Sequence, residues 1–176
     1  MFYKYFDLPA LPDWLIVQAI SLVTNSTSSK QHRGVYKRYP VSSDILLWCQ
    51  KNVLPTLENN FKLGVQIFSS TPEYPHTDGN RGSKALNFLI DAGGDNVITQ
   101  WLQEESYPVT RERGYVANNG GKFLELEQVC LKPNTWHVLQ TDVIHTVKNV
   151  TRPRIALSIG LEEDEYSSLL TLRNIV

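Results

Sequence analysis

A mainly β fold with flanking helices, a sandwich or jelly roll carrying helices on one face, is the class this sequence predicts. Three observations carry it. From Lys62 onward, apolar residues recur with a period of two in seven or eight short stretches. Asp91-Ala92-Gly93-Gly94-Asp95 and Asn118-Asn119-Gly120-Gly121 interrupt them as strong turn signals. Before Lys62, two longer stretches read as helices.

The first helix is Trp14 to Val23, apolar enough to be buried, with Asp13 placed to cap it. Asn25 to Lys30 is a polar loop, and Gly34 to Val41 a short strand. Ser42 or Ser43 can cap a second helix from Asp44 to about Asn60, kinked or split at Pro55. Strand candidates follow at Leu63–Phe68, Lys84–Ile90, Val97–Leu102, Phe123–Glu127, Val129–Leu131, Trp136–Leu139, Ile144–Val147 and Ile155–Leu161. A C-terminal helix, Glu165–Arg173, closes the series. The expected organisation is one domain over 1–176: helical support at 1–61, a β core at 62–161 and a final helix at 162–176.

At 176 residues the chain can bury a core without disulfide staples. Hydrophobic residues at 41% and charged residues at 20% exclude a disordered chain. A formal charge of −1 excludes a generally basic nucleic-acid wrapper. No apolar run reaches the ~18 residues of a membrane span, and the N-terminal segment does not read as a signal peptide. Cys49 and Cys130 are too few and too far apart for a zinc knuckle or disulfide framework. A soluble, cytoplasmic protein is the expectation.

The chemistry concentrates in three places. In His76-Thr77-Asp78, extended backbone would turn residues 76 and 78 to one face, where an imidazole and a carboxylate can share a metal ion. A lone His-x-Asp also arises by chance. His145 lies sixty-nine positions further on, near the start of an apolar strand. Taken alone, it reads equally as a histidine satisfied within a sheet. Arg154 opens the apolar run Ile155–Gly160, and a guanidinium entering a buried strand is costly unless it meets an anion. Two histidines and one carboxylate are the facial triad of non-haem iron(II) oxygenases.

His76-x-Asp78, distal His145 and Arg154 nine residues on together resemble the 2-oxoglutarate- and iron(II)-dependent oxygenases, within them the prolyl-hydroxylase-like group. The resemblance spans Leu63 to Leu161 and includes Pro133 to Leu139, similar to the turn and strand before the distal histidine. It implies a cupin-like double-stranded β-helix with the N-terminal helices packed on one sheet. Fe(II) would be held by His76, Asp78 and His145. The cosubstrate 2-oxoglutarate would chelate the metal and pair its far carboxylate with Arg154. With O2 the outcome would be succinate, carbon dioxide and an oxidised substrate. Because Asp78 fills a coordination position, hydroxylation fits better than halogenation. Many members carry serine two residues after the arginine; here that place is Ala156, with Ser158 two further along.

The resemblance also draws in Tyr74 and Asn87. Tyr74 would touch cosubstrate or substrate, or simply sit at the surface with its hydroxyl in water. Asn87 would line the cosubstrate pocket, or cap a bulge. Trp101 points into the barrel or is plain core. Arg152 rivals Arg154 but precedes Pro153 in a turn; His137 rivals His145, but threonine stands nine residues after it, and a structural role is expected. Lys30, His32, Arg33, Lys37 and Arg38 read as a solvated strand edge. Glu104 to Gly114 reads as a surface linker or a lid. Two alternatives stand beside the oxygenase: a cupin-like metal enzyme without 2-oxoglutarate, and a metal-free binding module. The substrate, a small molecule or a protein side chain, and the oligomeric state are not legible; nucleic acid is not an expected partner.

Overall fold

The computed structural model describes residues 1–25, 30–32, 36–57, 62–70, 75–78, 83–105, 110–112, 115–117 and 122–172. Its elements are β1 (Tyr3–Phe6), α1 (Asp13–Asn25), β2 (Lys30–His32), β3 (Tyr36–Tyr39), α2 (Ser43–Asn52), β4 (Leu63–Phe68), β5 (Lys84–Asp91), β6 (Ile98–Glu104), β7 (Thr110–Glu112), β8 (Tyr115–Ala117), β9 (Phe123–Val129), β10 (Trp136–Gln140), β11 (His145–Lys148), β12 (Arg154–Leu161) and α3 (Glu163–Leu172). All strand pairings are antiparallel.

A large sheet runs β1-β10-β5-β12-β4-β3-β2, and a small one β11-β6-β9, with β7 and β8 as a separate ribbon. An isolated bridge joins His76 to His145 and so extends the small sheet past β11. In chain order β4, His76, β5, β6, β9, β10, β11 and β12 fall in the large, small, large, small, small, large, small and large sheets. That wrapping is the double-stranded β-helix, and the mainly β class with flanking helices holds.

The alternation of each strand assigns its two faces. Leu63, Val65, Leu86, Phe88, Trp136, Val138, Leu157 and Ile159 pack outward with Leu15, Ala19, Val23, Ile45, Cys49 and Leu169 of the helices. Leu89, Leu139 and Ala156 point the other way, into a second cluster with Trp101 and Leu131 between the sheets. The helices therefore support one sheet, and its other face meets the small sheet.

Several boundaries differ from the sequence reading. Leu15 and Ile16 donate to the carbonyl of Pro12, so Asp13 lies inside the first turn of α1, where its charge meets the helix dipole, and does not cap it. Ser42 does cap α2, accepting from the N–H of Ile45. That helix ends at Asn52, because the residue before Pro55 is disfavoured in α geometry. The candidates 123–127 and 129–131 are not two strands: β9 is continuous to Val129, paired along β6. α3 starts at Glu163, where the Glu165 carboxylate accepts from the N–H of Glu162 in a capping-box arrangement. The first 61 residues are not only helical support. β1 pairs with β10, and β2 and β3 extend the large sheet beyond β4. The basic segment does form the sheet edge through β2, but Arg38 is not solvated there: its guanidinium donates to the carbonyls of Lys62 (2.6 Å) and Ser158 (3.3 Å). Gly64 makes this possible, since a Cβ there would collide with the Arg38 side chain. Part of the expected 104–114 linker is strand, as β7 pairs with β8.

Both cysteines are free, Cys49 buried and Cys130 exposed. Burial pushes the Cys49 thiol up to about 12, so it stays protonated and unreactive near pH 8. A disulfide-exchange reagent should therefore titrate one thiol in the native protein and two in denaturant.

Candidate functional site

The short bridge between the sheets builds the site. His76 N–H donates to the carbonyl of His145 at 2.9 Å, and His145 N–H returns the bond to His76 at 2.8 Å. The Asp78 N–H donates to the Thr141 carbonyl at 2.9 Å, tying the same segment to the end of β10. This ladder fixes the backbone of residues 76, 78 and 145 and sends their side chains to one place. One ligand atom from each lies within 4.8 Å of the others. His76 Nε2 stands 3.7 Å from Asp78 Oδ1, and the two imidazole centroids are 4.6 Å apart.

The donor set suits a divalent metal ion. His145 Nδ1 lies 2.9 Å from the Val143 carbonyl, which can only accept, so Nδ1 carries the proton and Nε2 the lone pair. His145 is buried, while His76 and Asp78 are partly open. Two imidazoles and one carboxylate occupy three positions and leave the others to ligands from the open side.

Arg154, at the start of β12, is 5% exposed. Its Nη1 donates to the Ala92 carbonyl at 3.5 Å and its Nη2 to Thr99 Oγ1 at 3.4 Å, both long bonds. It makes no ion pair among the described residues. Burial lowers its pKa to about 10, so it remains a cation at neutral pH. Gly93 holds a φ of +82° beside it, and a Cβ there would press on Arg154. Arg152, the rival, is exposed and paired to Asp91 at 3.3 Å.

His145 pairs with Trp101 across the small sheet, and Thr99, the Arg154 contact, pairs with Val147 two residues further on. The three possible metal ligands and the buried cation thus stand at different depths of one barrel. Trp101 is interior core: it stacks on Phe2 and Tyr3 and donates from its indole to the Gln140 carbonyl at 2.9 Å. Asn87 sits on a continuous ladder, opposite His137 and Ser158. The register shift of β12 falls at Ile155/Ala156, so the bulge-capping explanation of Asn87 fails. Tyr74 lies outside the described residues.

Thr99 escaped the sequence reading, and His137 entered it only as a structural residue. Thr99 was legible in principle, as it shares a strand face with Trp101. His137, expected to be structural, anchors nothing: it is 0% exposed and neither ring nitrogen has a hydrogen-bond partner among the described residues. Burial first, and the Arg154 charge second, push its pKa down to about 3, against the opposing effect of a backbone hydrogen bond at Thr135 that is too loose to satisfy either ring nitrogen. Tyr5 closes the other side of its ring at 6.1 Å. A histidine held neutral in the fold, with 6.5 as its ordinary value, costs stability as pH falls below that value, because the unfolded chain then binds the extra proton. The expected loss is about 2 kcal/mol at pH 5 relative to pH 7. It should be seen as a difference between wild type and His137→Phe in urea unfolding at the two pH values.

No family model and no curated protein matches the chain. Among solved structures, the fold is similar to the crystal structure of the non-heme alpha ketoglutarate dependent epimerase SnoN from nogalamycin biosynthesis. The two are 14% identical, with a TM-score of 0.48 over 89% of this chain and 75% of that one.

Proposed function

We propose that this protein is an Fe(II)- and 2-oxoglutarate-dependent oxygenase, a hydroxylase in its outcome. The observation that supports it most is the meeting of His76, Asp78 and His145, with the buried Arg154 cation further in that makes no ion pair among the described residues. His76, Asp78 and His145 would hold the metal through imidazole nitrogens and a carboxylate oxygen. Arg154 would receive the far carboxylate of 2-oxoglutarate through its planar fork, with Thr99 orienting the guanidinium. Asn87 would line the same pocket.

Bound iron would supply dioxygen activation, so that 2-oxoglutarate, O2 and a C–H bond give succinate, carbon dioxide and an alcohol. The chain's part is placement. The Val143 carbonyl keeps the His145 proton on Nδ1, the bridge to His76 fixes the ligand spacing, and the buried Arg154 end excludes water. Substrate choice would rest on the loops around the open side. Two free cysteines fit a reducing compartment such as the cytoplasm, and a small molecule or protein side chain remains the class of substrate. No helix among the described residues is long and apolar enough to cross a membrane.

Anaerobic addition of Fe(II) and 2-oxoglutarate tests the reading. A weak visible charge-transfer band, followed in air by succinate, is expected. A protein that binds the metal yet gives neither signal would overturn the reading.

A further inference from the structure

The large-sheet wall of the barrel carries buried polar atoms that lack a well-formed hydrogen bond among the described residues. His137 and Asn87 stand directly opposite each other on β10 and β5, and Ser158 follows on β12. Their strand neighbours Leu89, Leu139 and Ala156 belong to the cluster between the sheets, so this row faces the interior. His137 is 0% and Asn87 8% exposed. Among the described residues Asn87 Oδ1 and both ring nitrogens of His137 have no hydrogen-bond partner. A buried polar atom without a partner is costly, and an apolar ring of the same shape at 137 would avoid that cost.

The row also has a defined place. His137 lies four residues before Thr141, whose carbonyl holds Asp78, and Ser158 lies four residues after Arg154. Along the strands the row therefore lies between Thr141, which holds the Asp78 segment, and Arg154. From these observations we propose that His137, beside the Asn87 already placed in the pocket, contacts a bound ligand between its two ends and sets which ligand the pocket accepts. A neutral imidazole gives one donor and one acceptor, and the Asn87 amide presents either, by rotation about its last torsion. A small 2-oxo acid stretched from the metal end to Arg154 offers oxygen acceptors along that wall. This rests on the proposed cosubstrate. The rival occupant is a structural water, which polar interiors commonly hold.

The test compares wild type with His137→Phe and His137→Gln, each loaded with Mn(II), which binds without turnover. Three quantities are read: melting temperature of the ligand-free protein, Mn(II) affinity, and 2-oxoglutarate affinity by calorimetry. For His137→Phe the expected results are an unchanged or higher melting temperature, unchanged Mn(II) affinity, and 2-oxoglutarate binding weaker by about tenfold or more. His137→Gln, which keeps a donor and an acceptor, should recover part of the loss. A lower melting temperature with unaltered 2-oxoglutarate affinity would mean that the wall holds only a water, and would overturn this inference alone. If wild type itself fails to bind 2-oxoglutarate, the proposed function and this inference fall together.

Discussion

Asp78→Ala should lose Mn(II) or Fe(II) affinity by roughly 100-fold or more and abolish turnover, while the protein stays folded. Changes to groups that merely orient a metal ligand cost about 10–100-fold, so removal of a ligand should exceed that range. The folded state should tolerate the change. The Asp78 side chain is partly open, its one ionic contact among the described residues is His76 at 3.7 Å, and the bond that ties this segment to Thr141 comes from the backbone N–H. A single contact at that distance, on a partly open side chain, contributes little to the fold. Titration with Mn(II), read by calorimetry beside a melting curve, separates the two effects. His145→Ala should repeat the metal loss at some cost in stability, because its ring is buried and bonded to Val143. Undiminished metal binding in both variants would remove these residues from the metal centre.

The sequence carried the site better than its surroundings, for physical reasons. β4 was legible residue by residue, since Leu63, Val65 and Ile67 alternate against the helices while Gly64 and Gln66 turn inward. Arg154 stood out because a cation in an all-buried strand contradicts the local pattern. β1 was missed: Tyr3–Phe6 mixes aromatics with Lys4 and is a strand only because β10 offers it an edge 130 residues away. The end of α2 was misplaced because periodicity continues past Asn52, where Pro55 already constrains the backbone. His137 is the instructive case. The threonine nine residues after it set it aside as structural, and only the folded row with Asn87 and Ser158 shows a buried ring whose nitrogens lack a hydrogen-bond partner among the described residues. Such a vacancy of bonding is a property of three strands together and leaves no trace in any one of them.

Arg154→Met should separate binding from folding most sharply. The buried Arg154 guanidinium has lost its hydration, and among the described residues two long hydrogen bonds, to Ala92 and Thr99, replace little of it. Replacing a buried charge by an apolar side chain of similar length is often neutral or stabilising. The ligand-free variant should therefore melt at the wild-type temperature or above. The charge would be compensated only when a carboxylate arrives, and removing one partner of such a buried pair costs about 2–5 kcal/mol, or at least ~30-fold in affinity. The 2-oxoglutarate KM and Kd should rise by that factor while Mn(II) affinity stays unchanged. Arg154→Lys should rescue only partly, because an ammonium lacks the two-pronged geometry and sheds its proton more readily when buried. A guanidinium serving the fold alone would give the reverse pattern, lowered stability with ligand affinity intact. The sign of the stability change thus tells whether this cation is a strut of the barrel or a receptor held ready at strain.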